Sequence, residues 1–316
     1  MRKNAFRQVY DNESFKSILK NKNKLPEFPF LVDIELTNHC NLKCVFCGQM
    51  VMSRKKGFIH EDIFKKVVDE CGKYSAPIRL IRFGEPFLHS KIIDFCKYIK
   101  SKKLPLHITN NGLIVKESEL EAIVDLEVDS IIFSFQGATK EEYEFMRDNN
   151  QYNKLKRNIL RLVEIRGKRE KPFIHISSTM TDDTEGEIKK FIDYWSSIVD
   201  SVDVGKTNFN MLTESQITEL KNKGKLEDLK KKETIEKTYK PCAEVYQKLS
   251  VNWDGKVTCC CGDFDDLLLV GDLNNESLFD VWNKSDRLKA VRSLLDNMQH
   301  TSLTLCKGCY FSYEDF

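Results

Sequence analysis

Short apolar runs alternate with amphipathic stretches between residues 31 and 207 of the chain. The short runs predict strands, and the stretches between them carry apolar residues at helical spacing. The predicted strands are LVDIELT (31–37), IRLIRF (78–83), LHIT (106–109), SIIFSF (130–135), FIHISSTM (173–180) and SVDVGKT (201–207). This alternation indicates a parallel sheet with crossover helices. Six units instead of eight predict an α/β fold, an open partial (β/α)6 TIM-like barrel.

Unusual polar residues and glycines follow the predicted strands. Cys40 follows the first strand, Gly84-Glu85-Pro86 the second, Asn110-Asn111-Gly112 the third and Gln136-Gly137 the fourth. The carboxyl ends of parallel strands meet at one edge of a sheet, where ligands of such folds bind. We therefore expect a site at this edge.

The pattern changes after residue 210. Residues 214–240 are Lys-rich with few apolar positions and predict a solvated helix or linker. LSVNWDGKVTCC (249–260) predicts a β-hairpin around Asp254-Gly255, and residues 276–297 predict a helix. The expected organisation is an N-terminal extension (1–29), the barrel (30–212), a charged segment (213–240) and a small C-terminal module (241–316).

Composition narrows the classes of function. Hydrophobic residues make up 41% of the 316 and charged residues 31%, which predicts a sizeable core. The net charge of +2 gives no strong field for nucleic acid or an anionic membrane, so neither is an expected partner. A polar N-terminus and the lack of a span-length apolar run predict a cytoplasmic protein. The sequence shows no G-x-S-x-G elbow, P-loop or dinucleotide fingerprint.

Eleven cysteines are the strongest chemical signal. In a reducing compartment they indicate metal ligands and not disulfides. Cys40, Cys44 and Cys47 form a C-x3-C-x2-C pattern. Three thiolates on a four-iron cluster leave one iron open to a reactant. Cys71 and Cys96 instead continue apolar helical faces and predict core positions.

The C-x3-C-x2-C pattern after a strand resembles the radical S-adenosylmethionine (radical SAM) superfamily. The resemblance implies that these cysteines hold a [4Fe-4S] cluster whose open iron chelates SAM, which is then split to a 5′-deoxyadenosyl radical. RFGEP (82–86) resembles the superfamily's Gly-Gly-Glu segment, with Phe83 in place of the first glycine. Phe46 matches an aromatic beside the adenine. The residues expected to bind SAM are Phe46, Gly84, Glu85, Asn111, Ser134 and Arg147.

The C-terminal module resembles the SPASM/twitch extension of this superfamily. The match is C-x12-G-x4-C, from Cys242 through Gly255 to Cys260, followed by GDL, a Trp-bearing helix and C-x2-C. It implies one auxiliary [4Fe-4S] cluster, in the shorter twitch arrangement. Neighbouring side chains of a strand face opposite sides, so either Cys260 alone or Cys259 with Cys261 faces the cluster, and the glycine spacing favours Cys260. The implied ligands are Cys242, Cys260, Cys306 and Cys309.

Chains of this size with one auxiliary cluster resemble cyclitol and sugar dehydrogenases. The first hypothesis is therefore a radical SAM oxidoreductase that abstracts a hydrogen atom and oxidises a carbohydrate or cyclitol alcohol by two electrons. The resemblance also implies an electron donor of the flavodoxin or ferredoxin type. One alternative is epimerisation or crosslinking of a ribosomally made peptide, although no leader-binding domain is evident before the first strand. The other is a non-catalytic iron-sulfur or zinc redox sensor, which would not bind SAM.

Overall fold

The computed structural model describes residues 2–4, 6–207, 209, 218, 241–307 and 309. The charged segment expected at 213–240 therefore lies, apart from residue 218, outside the described residues. In the part of the chain that is described, no helix combines the length and the apolar character needed to cross a bilayer.

Within those residues, the strands are β1 Leu31–Ile34, β2 Ile78–Leu80, β3 Leu106–Asn110, β4 Ser130–Ser134, β5 Phe173–Met180, β6 Ser201–Lys206, β7 Lys248–Val251, β8 Lys256–Thr258 and β9 Leu269–Asp272. The α-helices are α1 Arg7–Asp11, α2 Glu13–Lys16, α3 Glu61–Tyr74, α4 Ile92–Ser101, α5 Glu117–Asp125, α6 Lys140–Arg147, α7 Tyr152–Arg166, α8 Glu185–Ser196, α9 Leu278–Lys284 and α10 Asp286–Asp296. All six predicted barrel strands are present. The first two are shorter than expected because the chain leaves the sheet at Glu35 and at Ile81 to build the loops of the site.

The strands form one sheet in the order β6-β5-β4-β3-β2-β1-β7-β8-β9. Pairing is parallel from β1 to β6, as the pattern predicted. The hairpin of the C-terminal module adds to this sheet, because β7 pairs in parallel with β1, with Val32 opposite Leu249. β8 and β9 then continue antiparallel. The expected fold class is confirmed, and the module's hairpin extends the barrel sheet beyond β1.

One predicted helix is divided in two. The apolar pattern of residues 276–297 belongs to α9 and α10, and Ser285 lies between them in a non-helical conformation. Its hydroxyl donates to the carbonyl of Val270 at 2.5 Å and accepts the amide of Leu288 at 3.2 Å. Ser285 therefore caps the second helix and ties it to β9.

The core lies between the sheet and its helices. Val32, Ile34, Ile78 and Leu80 are fully buried there, and so are Cys71 and Cys96, as their helical spacing predicted. Phe64 of α3 stacks on Phe95 of α4 with ring centroids 3.9 Å apart. The helices are therefore fixed against the sheet by apolar side chains of alternate strand positions.

Asp33 of β1 and Arg79 of β2 carry charges that pair with one another. Arg79 donates two hydrogen bonds to Asp33, at 2.6 and 2.7 Å, and a third to the hydroxyl of Tyr10 in α1. Burial would raise the pKa of Asp33, but Arg79 and Lys248 outweigh it and lower that pKa to about 2. Phe6, also from the N-terminal segment, contacts the ring of His107 at 5.3 Å. The N-terminal segment therefore closes the sheet face near the start of β2 and β3.

The shared sheet predicts that the barrel and the C-terminal module unfold together. Leu249 of β7 is fully buried, and its replacement by Ala should cost about 2–5 kcal/mol of unfolding free energy. We expect the loss to appear in the signal of Trp195, which is buried on α8. The measurement is urea unfolding of the apo protein, with Trp253 and Trp282 replaced by Phe so that Trp195 reports alone.

Leu267→Ala is the matched control, because Leu267 lies in the same module with 51% of its surface exposed. It should leave the midpoint nearly unchanged. A Trp195 transition that Leu249→Ala does not move would show that the module unfolds independently of the barrel.

Candidate functional site

The first three cysteines lie in the loop that follows β1. Asn38 anchors the start of this loop, since its side-chain oxygen accepts the amide of Gly57 at 3.0 Å and its amide group donates to the carbonyl of Lys55 at 2.9 Å. Gln49 donates back to the carbonyl of Asn38 at 2.6 Å. The segment is thus fixed at both ends before any ligand binds.

The thiols of Cys40, Cys44 and Cys47 are near neighbours. Burial is the main reason why the pKa of Cys40 is raised to about 12, and the charges of Glu85, Cys44 and Cys47 add to the effect of burial. Burial likewise raises the pKa of Cys47. Thiols of this kind are protonated at neutral pH, and metal ions bind them as thiolates with release of the protons.

The turn after β2 packs directly on the cysteine loop. Gly84 has φ +109°, and a Cβ atom there would lie 2.2 Å from the carbonyl oxygen of Thr37. The amide of Glu85 donates to the carbonyl of His39 at 2.8 Å. Only glycine therefore fits at position 84. Phe83, which replaces the other glycine of the motif, contacts the ring of Phe264 in the C-terminal module at 6.0 Å.

Glu85 and Asn111 connect the ends of β2 and β3 to Cys40. The Glu85 carboxylate accepts the amides of Asn111, at 2.7 Å, and of Phe87, at 3.1 Å. The side-chain amide of Asn111 donates to Asn41 at 2.8 Å and lies 3.9 Å from the sulfur of Cys40. Burial raises the pKa of Glu85 to about 7, against the opposing effect of the two amides and of Arg147. A cation that bound to this carboxylate would compensate its buried charge.

Arg147 lies beside Cys44 and connects it with Phe46 and Ser134, which are also expected to bind SAM. It is 7% exposed, and its Nη1 lies 3.5 Å from the sulfur of Cys44. Its Nη2 donates to the carbonyls of Ser134, at 2.8 Å, and Phe135, at 2.9 Å, and its guanidinium lies 5.6 Å from the centre of the Phe46 ring. Phe46, Ser134 and Arg147 therefore surround one side of the cysteine loop.

The C-terminal cysteines form a second group. Burial raises the pKa of Cys242 to about 12, and the neighbouring charges of Glu244, Cys309 and Cys261 raise it further. Burial raises the pKa of Cys306 to about 11, with a further contribution from Cys309. The structure thus brings three of the four expected auxiliary ligands, Cys242, Cys306 and Cys309, to one region.

Cys259, Cys260 and Cys261 have different surroundings. Cys259 is 1% exposed, and its sulfur lies 3.8 Å from the carbonyl of Leu268. Burial raises the pKa values of both Cys259 and Cys260, and Cys242 is among the further causes in each case. The charge of Lys248 instead lowers the pKa of Cys261, against the larger effect of burial. Cys259, Cys260 and Cys261 all lie near Cys242, so the choice of Cys260 stays a prediction.

The residues present fit iron-sulfur clusters. Cysteine thiolates are the usual ligands of such clusters, and N–H groups near the sulfurs help to set their potentials. Asn111 and Arg147 provide such groups at Cys40 and Cys44. Among the described residues, no three His, Cys, Asp or Glu side chains are placed to share a single metal ion. A four-iron cluster does not require this, because each iron takes its own thiolate.

Sequence reasoning missed the contacts that join the two cysteine groups. Arg54 donates two hydrogen bonds to Glu35, at 2.8 and 3.0 Å, and a third to the carbonyl of Phe264 at 2.8 Å. The hydroxyl of Ser53 donates to Asp265 at 2.8 Å. Glu35 is 1% exposed, and the signal that could have found this pair is an acidic residue inside the apolar run LVDIELT.

Comparisons with known proteins agree with this geometry. A family model described as "Radical SAM superfamily" matches residues 34–205, and the SPASM model, described as "Iron-sulfur cluster-binding domain", matches residues 242–310. The chain is 23% identical to a tungsten-containing aldehyde ferredoxin oxidoreductase cofactor-modifying protein of Pyrococcus furiosus, over 86% of each protein. It is 18% identical to the S-adenosyl-L-methionine-dependent 2-deoxy-scyllo-inosamine dehydrogenase of Niallia circulans, over 88% of this chain and 92% of that protein.

Solved structures share the fold at low identity. Streptococcus suis SuiB bound to S-adenosylmethionine matches with a TM-score of 0.68 at 16% identity, over 98% of this chain and 80% of SuiB. BtrN in complex with AdoMet and 2-DOIA matches with a TM-score of 0.55 at 16% identity, over 89% of this chain and 92% of BtrN. SAM, a SAM-binding [4Fe-4S] cluster and an auxiliary cluster are the cofactors that the two domains imply. The chain belongs to the radical SAM superfamily and carries an iron-sulfur cluster-binding SPASM domain after its barrel.

Proposed function

We propose that this radical SAM enzyme is a dehydrogenase that oxidises an alcohol of a carbohydrate or cyclitol to a ketone. When bound, SAM and the clusters supply a 5′-deoxyadenosyl radical that removes a hydrogen atom, and an acceptor for the second electron. The protein must then hold the substrate alcohol at the carboxyl edge of the sheet and accept its hydroxyl proton.

The observation that carries the proposal is the position of the auxiliary cysteines. β7 pairs with β1, so the hairpin that leads to Cys260 lies beside the strand that leads to Cys40. Arg54 and Ser53 hold the loop after the first cysteines against the loop after Cys261. We therefore expect an electron left on a substrate that lies between the two cysteine groups to pass to the auxiliary cluster. The relative named as a 2-deoxy-scyllo-inosamine dehydrogenase, similar over most of both chains, supports a cyclitol as the substrate.

The proposed roles of the SAM-site residues follow from their contacts. Cys40, Cys44 and Cys47 hold the first cluster. Glu85 is the acceptor for the cationic amino group of SAM, and its two backbone hydrogen bonds keep the carboxylate in place. Gly84 and Asn111 shape that turn, and Phe46 is positioned for contact with the adenine. Ser134 and Arg147 are the proposed polar contacts to the ribose and to the methionine carboxylate of SAM.

Modification of a peptide is the second candidate. A PqqA peptide cyclase of Gluconobacter oxydans is 24% identical over 37% of this chain, and the SuiB structure with its precursor peptide SuiA shares the fold with a TM-score of 0.69. These similarities cover either a part of the chain or the fold alone. The alcohol proposal ranks first because the dehydrogenase relative matches 88% of this chain.

Iron content tests the two sets of ligands. After anoxic reconstitution, the wild type should hold about eight irons and as many sulfides per chain. The Cys40/Cys44/Cys47→Ala variant and the Cys242/Cys260→Ala variant should each fall to about four. Cys261→Ala is the control and should keep about eight, because Cys260 and not Cys261 is the proposed ligand. A Cys242/Cys260 variant that keeps the full count would exclude this auxiliary ligand set.

Glu85→Gln tests the SAM site. The amide keeps the shape of the side chain but loses the charge that would meet the SAM amino group, so the Kd for SAM should rise at least about tenfold. Calorimetry of the reconstituted protein measures the Kd, with Glu121→Gln, an exposed position of α5, as the control. Equal measurable affinities of Glu85→Gln and wild type would contradict the role assigned to Glu85, and a lack of SAM binding by both would support the redox-sensor alternative.

The raised pKa of Glu85 predicts a pH dependence of SAM binding. Its neutral acid form becomes populated as pH falls through about 7, whereas an ordinary glutamate would stay charged. Because the charged form is needed for the SAM amino group, the affinity should fall over this range in the wild type. Glu85→Gln should lack this step, and a wild-type Kd that is constant through neutral pH would contradict the assigned role.

Deuterium labelling tests the reaction. A panel of cyclitols, aminocyclitols and sugars, each deuterated at the carbon that bears the alcohol, is incubated with SAM and a chemical reductant. A substrate should give one ketone per 5′-deoxyadenosine, with deuterium in the deoxyadenosine. The Cys40/Cys44/Cys47→Ala variant should give neither product. If none of these compounds transfers the label and Cα-deuterated peptides tested in parallel do, the peptide-modifying candidate replaces the dehydrogenase.

A further inference from the structure

Arg82 connects the strand end of the SAM site to the auxiliary cysteines. It lies two residues before Gly84, but its side chain crosses to the C-terminal module. Its Nη1 donates to the carbonyls of Cys260, at 2.8 Å, and Cys261, at 3.1 Å. Its Nη2 donates to the carbonyl of Asp263 at 2.8 Å and to the side-chain oxygen of Asn252 at 2.9 Å. One guanidinium therefore holds three main-chain carbonyls of the cysteine loop.

Within the module, a buried carboxylate accepts hydrogen bonds from the donor groups of this loop. The Asp263 carboxylate is fully buried and accepts the hydroxyl of Thr258 at 2.8 Å and the amides of Leu267, at 2.9 Å, and Leu268, at 2.8 Å. The Asp263 carboxylate thus accepts hydrogen bonds from N–H and O–H groups of the loop. The main-chain carbonyls of Cys260, Cys261 and Asp263 instead need a donor from outside the module. Arg82 of the barrel provides that donor.

The backbone of Arg82 is strained in a way that its side-chain contacts explain. Its φ is +135°, a region that residues with a Cβ atom rarely adopt. Such strain persists where surrounding contacts compensate for it. Four hydrogen bonds from the guanidinium provide this compensation, so the side chain is the reason for a non-glycine residue at this position.

We propose that Arg82 is a positioning residue for the auxiliary cluster. It fixes the loop that carries Cys260 relative to the Gly84-Glu85 turn, and its positive charge raises the reduction potential of the cluster bound there. The inference rests on the proposed function only for the assignment of Cys260 as a ligand.

The charge of Arg82 is available to the cluster because its partners are neutral. All four acceptors are carbonyl or amide oxygens, with no carboxylate among them. A cation held beside a negatively charged iron-sulfur cluster stabilises its reduced form, which is the more negative one. A raised potential would suit a site that accepts an electron from a substrate.

Hydrogen exchange of the apo protein tests the positioning role without any cluster. In Arg82→Gln, the amides of residues 259–268 should exchange about tenfold faster, because hydrogen bonds from a charged donor are lost. Arg82→Lys keeps the charge but loses the two-pronged geometry, so it should show an intermediate increase. Arg161→Gln, on the outer surface of α7, is the control and should leave this region unchanged.

Redox titration tests the role of the charge. The Cys40/Cys44/Cys47→Ala background leaves only the auxiliary cluster, whose reduced form is followed by electron paramagnetic resonance. Arg82→Gln in this background should shift the midpoint to a more negative potential, and Arg82→Lys should shift it less. Loss of the cluster from Arg82→Gln with recovery in Arg82→Lys would also support the proposal.

Two results would overturn the inference. One is unchanged exchange of residues 259–268 together with an unchanged midpoint in Arg82→Gln. The other is faster exchange throughout the barrel in both variants, which would make Arg82 a general folding residue. Neither readout uses a substrate, so a failure of the dehydrogenase assignment would leave both results interpretable.

Discussion

The parallel pairing of β1 with both of its neighbours is the constraint on which the rest of the structure depends. β2 on one side leads to the Gly84-Glu85 turn, and β7 on the other leads into the hairpin that ends at the auxiliary cysteines. β1 itself leads to Cys40. Because parallel strands end at the same edge, the loop that carries Cys40 and the turn of the module's hairpin lie at one edge of the sheet, and β8 then runs back antiparallel to the auxiliary cysteines.

Buried charges fix the register of these three strands. Asp33 pairs with Arg79 of β2 and lies 3.8 Å from Lys248 of β7, and Glu35 pairs with Arg54. A buried ion pair contributes little net stability, since desolvation offsets the attraction. A shift of one residue, however, would turn each charge into the apolar helix layer without its partner. These pairs therefore specify the alignment of the sheet more than they stabilise it.

The departure from the Gly-Gly-Glu motif has a structural counterpart. The glycine that is kept, Gly84, is where the chain touches the backbone of Thr37, and no side chain fits there. At position 83 a side chain does fit, and the ring of Phe83 contacts Phe264 of the module. The side chains of Arg82 and Phe83 therefore reach the C-terminal module, whereas Gly84 and Glu85 pack on the cysteine loop.

The sequence by itself determined the parts that depend on local spacing. Strand and helix periodicity predicted the six barrel strands, Asp254-Gly255 predicted the hairpin, and the cysteine intervals predicted the family. Only the tertiary structure decided that β7 joins β1, that Arg147 is buried against Cys44, and that Arg82 reaches the carbonyls of Cys260 and Cys261. These contacts join residues about one hundred to more than two hundred positions apart. Periodicity reports which face of an element is buried, whereas the partner of that face is chosen by the packing of the whole chain.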